Sequence, residues 1–264
     1  MNRIGIFGLT GDPFTIAHRD ICKQAMDNLD IDKLYIIPTV VNYHRKGKEL
    51  WLTDLQKVYC MENMLWHLGS RYNGEYEIDT HELILKNLCN NDQSLYTEII
   101  KPRRFIHTLL DFKSRMANKN DVDGGYKITL ILGSDELRIF QSWHRWDAII
   151  NNIDSLAIVD GRNGEMVDVS APVQIKLRGK VQHLSLSTEW MYRISASKIR
   201  DRYRDVRCGF SEYLKDLKEY DYERATPQEL GWLDDEEKPN SVEKFVTELE
   251  EAHEATKGSQ MVFK

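Results

Sequence analysis

The sequence predicts an α/β fold in which a doubly wound parallel sheet carries helices on both faces. Residues 3–8 form a short apolar run that ends in glycine, and a tight polar loop follows at 9–14. From Thr15 the apolar residues recur at helical spacing, and a second apolar run at 33–38 stops at Pro38. Strand, tight loop, helix and strand make a βαβ unit, and such units build parallel sheets.

The same alternation continues along the chain. Residues 53–68 are expected to form a helix with Thr53 as its N-cap, and 127–133 is the clearest buried strand. Further strands are expected at 76–79, 155–159 and 182–186, and further helices at 104–116, 143–151, 197–204 and 211–219. The alternation predicts a Rossmann-like domain over residues 1–224.

Beyond residue 224 the composition changes. Residues 234–237 are all acidic, and 241–256 have the apolar spacing of an amphipathic helix. Residues 225–264 are therefore expected to form an acidic C-terminal extension, partly helical or disordered. With few apolar residues to pack, the chain from about Thr226 is expected to be dispensable for chemistry.

Composition narrows the classes of function. The chain has 264 residues and a formal net charge of -6, which argues against a general nucleic-acid binder. No apolar run approaches the roughly 20 residues of a membrane span, and the N-terminus lacks a signal-peptide pattern. A cytoplasmic protein, with a homo-oligomer left open, is the default expectation. The four cysteines show no CxxC spacing, which argues against a zinc or redox motif.

The first chemical motif runs from Gly8 to His18 at the turn between the first strand and the first helix. Ligands of parallel sheets collect at the carboxyl ends of strands, and helix N-termini bind phosphate. Thr15 and His18, three residues apart, lie on one face of the first helical turn and could reach the same phosphate. The alternative is a glycine-rich turn with a capping threonine and a surface histidine.

The second motif lies far downstream, at 194–202. Ser195 or Ser197 can cap a helix whose free N–H groups point outward, and Arg200 adds a planar fork for phosphate oxygens. The alternative is an ordinary N-cap followed by a solvated basic helix face. Each motif alone is a weak predictor of anion binding.

Together the two motifs resemble the signatures of the nucleotidylyltransferase superfamily. Its (H/T)xGH-type loop is represented by Thr15-Ile16-Ala17-His18, and its ISxTxxR-type segment by residues 194–200. Intervening segments resemble the bacterial nicotinate-nucleotide adenylyltransferase branch, in order over roughly 3–220: Ile36-Ile37-Pro38, His44-Arg45, Leu132-Gly133-Ser134-Asp135 and Trp143-His144-Arg145-Trp146.

The resemblance implies that a mononucleotide phosphate attacks the α-phosphorus of ATP and that pyrophosphate leaves. Catalysis would then consist of positioning and charge stabilisation. The implied catalytic residues are His18, Thr15 and Arg200. The implied ATP-binding residues are Gly8, Thr10, Gly11, Thr15, His18, Ser195, Ser197 and Arg200. Mg²⁺ is expected to arrive with ATP, bound largely through phosphate oxygens and water, with no protein metal ligands.

The mononucleotide side is assigned to His44, Arg45, Asp135 and Trp143. Asp135 follows the strongest strand, where its carboxylate can accept hydrogen bonds from ribose hydroxyls, and Trp143 is expected to stack on the pyridine. The alternative for Trp143 is core packing.

The chain departs from the family pattern in two places. In the glycine-rich loop Leu9 and Gly11 replace a Gly and a Phe. Arg103-Arg104-Phe105 occupies the place of the family's Ser-Tyr-Thr segment near the pyridine, with Tyr96-Thr97 as a shifted alternative. A guanidinium there would favour nicotinate over nicotinamide, unless both arginines face solvent at a helix start.

Two other functions remain open at this stage. One is another adenylyl- or cytidylyltransferase of the superfamily, and the other is a non-catalytic nucleotide-binding regulator that uses its acidic extension as a partner surface. Phosphopantetheine adenylyltransferases usually lack the tryptophan segment, and cytidylyltransferases carry an RTxGIST-type stretch that is absent here. The presence of both His18 and Arg200 favours the enzyme over the regulator.

Overall fold

The fold is a six-stranded, all-parallel sheet with the strand order β3-β2-β1-β4-β5-β6 in a computed structural model of the chain. Its strands are β1 (Asn2–Leu9), β2 (Lys33–Pro38), β3 (Tyr76–Ile78), β4 (Tyr126–Gly133), β5 (Ser155–Val159) and β6 (Val181–Leu184). The structure describes residues 2–39, 50–85, 105–119, 125–160, 168–177, 179–204, 206–207, 209–221, 226–227, 230 and 232. The predicted Rossmann-like sheet is confirmed.

Helices follow the strands, as right-handed parallel crossovers require. They are α1 (Ile16–Asn28), α2 (Asp54–Trp66), α3 (Phe105–Lys119), α4 (Ser134–Ile139), α5 (Trp146–Asn151), α6 (Ala171–Leu177), α7 (Ala196–Tyr203) and α8 (Gly209–Asp221). Short 3₁₀ segments lie at Ser70–Tyr72, Phe140–Ser142 and Glu189–Arg193, and residues 81–85 are also helical.

The central strands are buried on both faces, so each face has its own apolar core. Alternate residues of β1 divide between the two cores, with Phe7 in one and Ile4 and Ile6 in the other. The first core is completed by α1, α2, α7 and α8, and the second by α3, α5 and α6. This two-sided burial explains why the strands are nearly continuous apolar runs in the sequence.

The order in which strands are added to the sheet reverses between β1 and β4. These two parallel strands pair with Phe7 beside Ile131. Crossovers on one side of β1 lead to β2 and β3, and those on the other side lead to β4, β5 and β6. Such a switch point leaves a crevice at the carboxyl ends of the two middle strands. The loop after β1 and the start of α4 both open onto it.

Several predicted boundaries are wrong. The helix expected from 143 begins at Trp146, because its N-cap Arg145 is left-handed with φ 54° and the preceding residues form a turn. The short helices α4 and α6 were not predicted. The last strand is Val181–Leu184, one residue earlier at its start and two at its end than expected.

The chain just beyond residue 224 is better packed than its composition suggested. Leu230 and Trp232 are both buried and belong to the core formed by α1, α2, α7 and α8. The scarcity of apolar residues in this part of the chain does not indicate the burial of these two, and its dispensability for chemistry stays a prediction. The acidic run 234–237 and the segment 241–256 lie outside the described residues. Among the helices the structure describes, none has the length and apolarity needed to cross a membrane.

Candidate active site

The loop between β1 and α1 is shaped by a glycine that no other residue can replace without strain. Gly11 has φ 59°, in the left-handed region that favours glycine. A Cβ on Gly11 would lie 2.1 Å from Cε of Met61, so α2 packs directly against the loop backbone. The departure from the family's phenylalanine is thus matched by a methionine that fills the space.

Thr15 caps α1 and at the same time fixes the ring of His18. The His18 N–H donates to Thr15 Oγ1 at 3.3 Å, and the Thr15 N–H donates to His18 Nδ1 at 3.0 Å. This reciprocal pair is a capping box, with histidine in the position usually taken by glutamate or glutamine. Because Nδ1 accepts a hydrogen bond, the neutral imidazole carries its proton on Nε2.

The surroundings of His18 favour this neutral form. Its ring centroid lies 5.3 Å from that of Phe14 and 6.3 Å from that of Phe7. Burial lowers the pKa of His18 from 6.5 to about 4, and the nearby Asp135 carboxylate acts in the opposite direction. An imidazole of this kind donates a hydrogen bond without bringing a full charge into the site.

Arg200 joins the two predicted motifs directly. One terminal nitrogen of its guanidinium donates to the backbone carbonyl of Asp12, in the first loop. The other donates to Ser197 Oγ at 2.8 Å, in the first turn of α7. Arg200 is only 4% exposed, so this charge is held between the loop and the helix. Ser195, and not Ser197, caps α7, by accepting the Lys198 N–H at 3.3 Å.

Two further sets of hydrogen bonds fix the loop between β1 and α1. The Phe14 carbonyl, which directly precedes Thr15, accepts hydrogen bonds from Tyr213 Oη at 2.8 Å and Cys60 Sγ at 3.4 Å. The buried Asp12 carboxylate accepts the N–H groups of Trp51 at 2.9 Å and Leu52 at 2.8 Å.

Sequence reasoning missed these supporting residues. Neither Asp12 nor Cys60 belongs to a sequence pattern that predicts a catalytic or metal-binding role. An acidic residue inside a glycine-rich loop was the signal available for Asp12. Nothing in the sequence indicated the partners of Phe14, which come from α2 and α8.

Of the residues predicted for the mononucleotide, the structure describes Asp135 and Trp143. Asp135 is in the first turn of α4, and its Oδ1 would be 2.8 Å from a Cβ on Gly133, so glycine makes room for the carboxylate. Trp143 is partly buried, with its ring 5.5 Å from Phe105 and 5.3 Å from Phe140. Stacking on a pyridine stays a prediction for this ring.

An aromatic side chain also reaches the end of β1. Phe105 closes over Gly8, because a Cβ there would lie 3.1 Å from its ring. The remaining predicted residues, His44, Arg45, Arg103 and Arg104, lie outside the described residues.

The described side chains are a poor cage for a metal ion. Among the residues that the structure places, no three or more His, Cys, Asp or Glu side chains form a group that could hold one. A site of this composition fits Mg²⁺ only as an ion carried by phosphate oxygens and water, since Mg²⁺ keeps several waters when it binds nucleotides.

The sequence model of the family described as Cytidylyltransferase-like matches residues 6–202. The chain belongs to this family. The matched range contains both motifs and the whole sheet except the first residues of β1. The resemblance to nucleotidylyltransferases seen in the sequence is thereby confirmed.

Two curated relatives and one solved structure are similar to the chain. A "Probable nicotinate-nucleotide adenylyltransferase" of Pseudothermotoga lettingae is 27% identical over 77% of this chain and 87% of its own length. One of the same name from Albidiferax ferrireducens is 27% identical over 57% of this chain, but the match spans only 62% of that relative.

The structure is that of Plasmodium falciparum nicotinic acid mononucleotide adenylyltransferase complexed with APC. It is 14% identical, has a TM-score of 0.54, and covers 84% of this chain and 98% of that one. At this identity the likeness supports the fold of the Cytidylyltransferase-like chain.

Proposed function

We propose that this protein transfers the adenylyl group of ATP to nicotinate or nicotinamide mononucleotide, giving the dinucleotide and pyrophosphate in NAD biosynthesis. The observation that carries the proposal is Arg200, which bonds the loop after β1 to the first turn of α7. The start of α7, joined by this guanidinium to the loop that leads into α1, and the neutral imidazole of His18 would together bind a triphosphate. The names of the relatives support the pyridine mononucleotide as acceptor.

In the proposed reaction, a phosphate oxygen of the mononucleotide forms a bond to the α-phosphorus of ATP. The bond from the α-phosphorus to the bridging oxygen breaks, and that oxygen leaves with pyrophosphate. No side chain forms a covalent intermediate. The protein contributes by aligning the two phosphates and by stabilising the charge on the oxygens that surround the α-phosphorus.

His18 is well suited to that second task. Its Nδ1 is held by the Thr15 N–H, so Nε2–H is the group it can present to a phosphate oxygen. Thr15 is 1% exposed and engaged with His18, so we assign it a positioning role beside its predicted contact with ATP. Arg200 and the α7 N-terminus, capped by Ser195, would hold the β- and γ-phosphates.

Mg²⁺, when bound to the triphosphate oxygens, would neutralise part of its charge. On the acceptor side, we retain Asp135 as the partner of ribose hydroxyls and Trp143 as the ring that stacks on the pyridine. His44 and Arg45 complete the proposal as groups near the acceptor phosphate. A cytoplasmic location remains part of it.

The experiment offers purified protein ATP and Mg²⁺ with each acceptor in turn: nicotinate mononucleotide, nicotinamide mononucleotide and phosphopantetheine. Dinucleotide and pyrophosphate are measured, and a preference for nicotinate mononucleotide is expected. Product from phosphopantetheine alone would assign the chain to another branch of the superfamily. Binding of ATP without any product would favour the non-catalytic regulator.

The matched variant is His18→Ala. We expect kcat to fall about 10²-fold or more with a smaller change in KM, because the contact strengthens as charge develops in the transition state. His67→Ala, at the exposed end of α2, is the control and should keep wild-type rates. An unchanged kcat in His18→Ala would remove this residue from the mechanism.

A further inference from the structure

Trp232 lies beyond the residues that the family model matches, yet it is completely buried behind the phosphate site. Its turn is held by its own backbone, since the Trp232 N–H donates to the Pro227 carbonyl at 2.9 Å and the Leu230 N–H to the Thr226 carbonyl at 3.0 Å. These two bonds hold Leu230 and Trp232 close to Thr226 and Pro227 in the part of the chain that follows α8.

Trp232 contacts α7 at both of its ends. At the start of the helix its carbonyl accepts the Ser195 N–H at 3.0 Å. At the end of the helix its indole Nε1–H donates to Tyr203 Oη at 3.2 Å, and Tyr203 in turn donates to Asp216 on α8. A single residue thus fixes the direction of the helix whose N-terminus faces the crevice.

The contact at Ser195 replaces a group that this helix lacks. In α1 and α2 the N-cap N–H is accepted by a side chain three residues on, His18 and Gln56 respectively. The equivalent residue in α7 is Lys198, and an ammonium group can only donate hydrogen bonds, so it cannot accept the N-cap N–H. The Trp232 carbonyl completes the cap in its place, so α7 depends on a segment distant in the sequence for its first turn.

The indole also supports the other phosphate motif. Its ring lies 5.8 Å from Tyr213, edge to face, and Tyr213 donates to the carbonyl of Phe14 just before the α1 N-cap. The Trp232 backbone therefore contacts the start of α7 through Ser195. Its indole is linked to the start of α1 through Tyr213.

We propose that Trp232 is a positioning residue for the phosphates of ATP, acting through Ser195 and Tyr213 without touching the nucleotide. The inference rests on the proposed function, because it assumes that the two helix N-termini bind a triphosphate. It predicts that loss of this buried contact weakens the binding of ATP more than the binding of the mononucleotide.

The test compares Trp232→Phe and Trp232→Ala in the full chain. Phenylalanine keeps a ring against Tyr213 and loses the donor to Tyr203, so KM for ATP should rise about fivefold, as expected for one lost hydrogen bond. Alanine should raise it roughly tenfold or more and also lower the thermal midpoint, since it empties a large core position. KM for the mononucleotide should change less than about twofold, since none of the contacts described above joins Trp232 to Asp135 or Trp143.

Two controls separate positioning from stability. Leu230→Ala removes a buried side chain of the same segment that has no link to Ser195 or Tyr213 in the contacts described above, so it should lower the thermal midpoint and spare KM for ATP. Trp66→Ala removes a tryptophan that is 76% exposed and should change neither quantity. Equal effects of Leu230→Ala and Trp232→Phe on KM for ATP would overturn the inference.

Direct binding of Mg-ATP, followed by calorimetry, keeps the inference distinct from the proposed function. Wild type that binds no Mg-ATP would refute the function itself. Wild type that binds while Trp232→Phe binds equally well would refute only the positioning role. If both Trp232 variants fail to fold, hydrogen exchange of the wild type decides: Mg-ATP should increase protection of peptides covering 226–232, because coupling is reciprocal. Unchanged protection of these peptides would also overturn the positioning role of Trp232.

Discussion

The half-buried imidazole of His18 should make the stability of the protein depend on pH in a way that a single substitution removes. Burial lowers its pKa from 6.5 to about 4 in the folded state. The unfolded chain therefore binds a proton more readily than the folded one. The free energy of unfolding is therefore not reduced by His18 above pH 6.5, and it falls as the pH is lowered from there towards 4.

The magnitude follows from the two pKa values, 6.5 in the unfolded chain and about 4 in the folded one. Over the whole range the loss is about 3 kcal/mol in the free energy of unfolding, and about 2 kcal/mol of it falls between pH 8 and pH 5. That is a substantial part of the stability of a typical domain.

The assay is urea unfolding of wild type and His18→Gln at pH 8, 7, 6 and 5. Glutamine does not titrate, so the difference in unfolding free energy between the two proteins should shift by about 2 kcal/mol in favour of the variant as the pH falls. His67→Gln removes an exposed imidazole and should follow wild type. A constant difference between wild type and His18→Gln would refute the half-buried, neutral His18.

Three other substitutions test the contacts around the crevice. Arg200→Ala should raise KM for ATP more than tenfold and KM for the mononucleotide less, because the guanidinium holds Asp12 and Ser197 on the ATP side; an equal rise for both substrates in steady-state kinetics would contradict this. Asp12→Asn should lower the free energy of unfolding by about 2 kcal/mol in urea, since one of two backbone donors would then face an NH₂ group; no loss would mean that the carboxylate is solvated. Gly11→Ala should destabilise the protein by more than about 1 kcal/mol even when paired with Met61→Ala, because the positive φ remains after the clash is removed; full recovery in the double variant would show that only the methionine matters.

The sheet was predictable because its signal is local. A parallel strand buried on both faces is a continuous apolar run, and each run here is followed by a glycine, proline or polar turn. The start of α5 was not predictable in the same way. Trp143 and Trp146 have helical spacing, but the left-handed Arg145 between them interrupts the helix. Arginine has no preference for this backbone conformation, so the sequence does not predict it.

The same distinction between local and distant signals applies to the residues of the candidate site. His18, Ser195 and Arg200 could be proposed because each lies in a short motif with a physical role. Asp12 and Trp232 could not, since their importance comes from partners far along the chain, Leu52 in one case and Ser195 in the other. Composition alone assigned Trp232 to an extension with little to pack, and only the fold brings it under α7.

The bond between Arg200 and Asp12 joins groups 188 residues apart in the chain, and Trp232 is needed later still. Protein synthesis proceeds from the N-terminus, and domains begin to fold while the chain is still emerging. The loop after β1 is therefore made early, and it lacks the Arg200 guanidinium and the donor from α8 until those helices have been synthesised. A chain released before Trp232 would carry the apolar sheet and the glycine loop but would lack the acceptor of the Ser195 N–H at the start of α7.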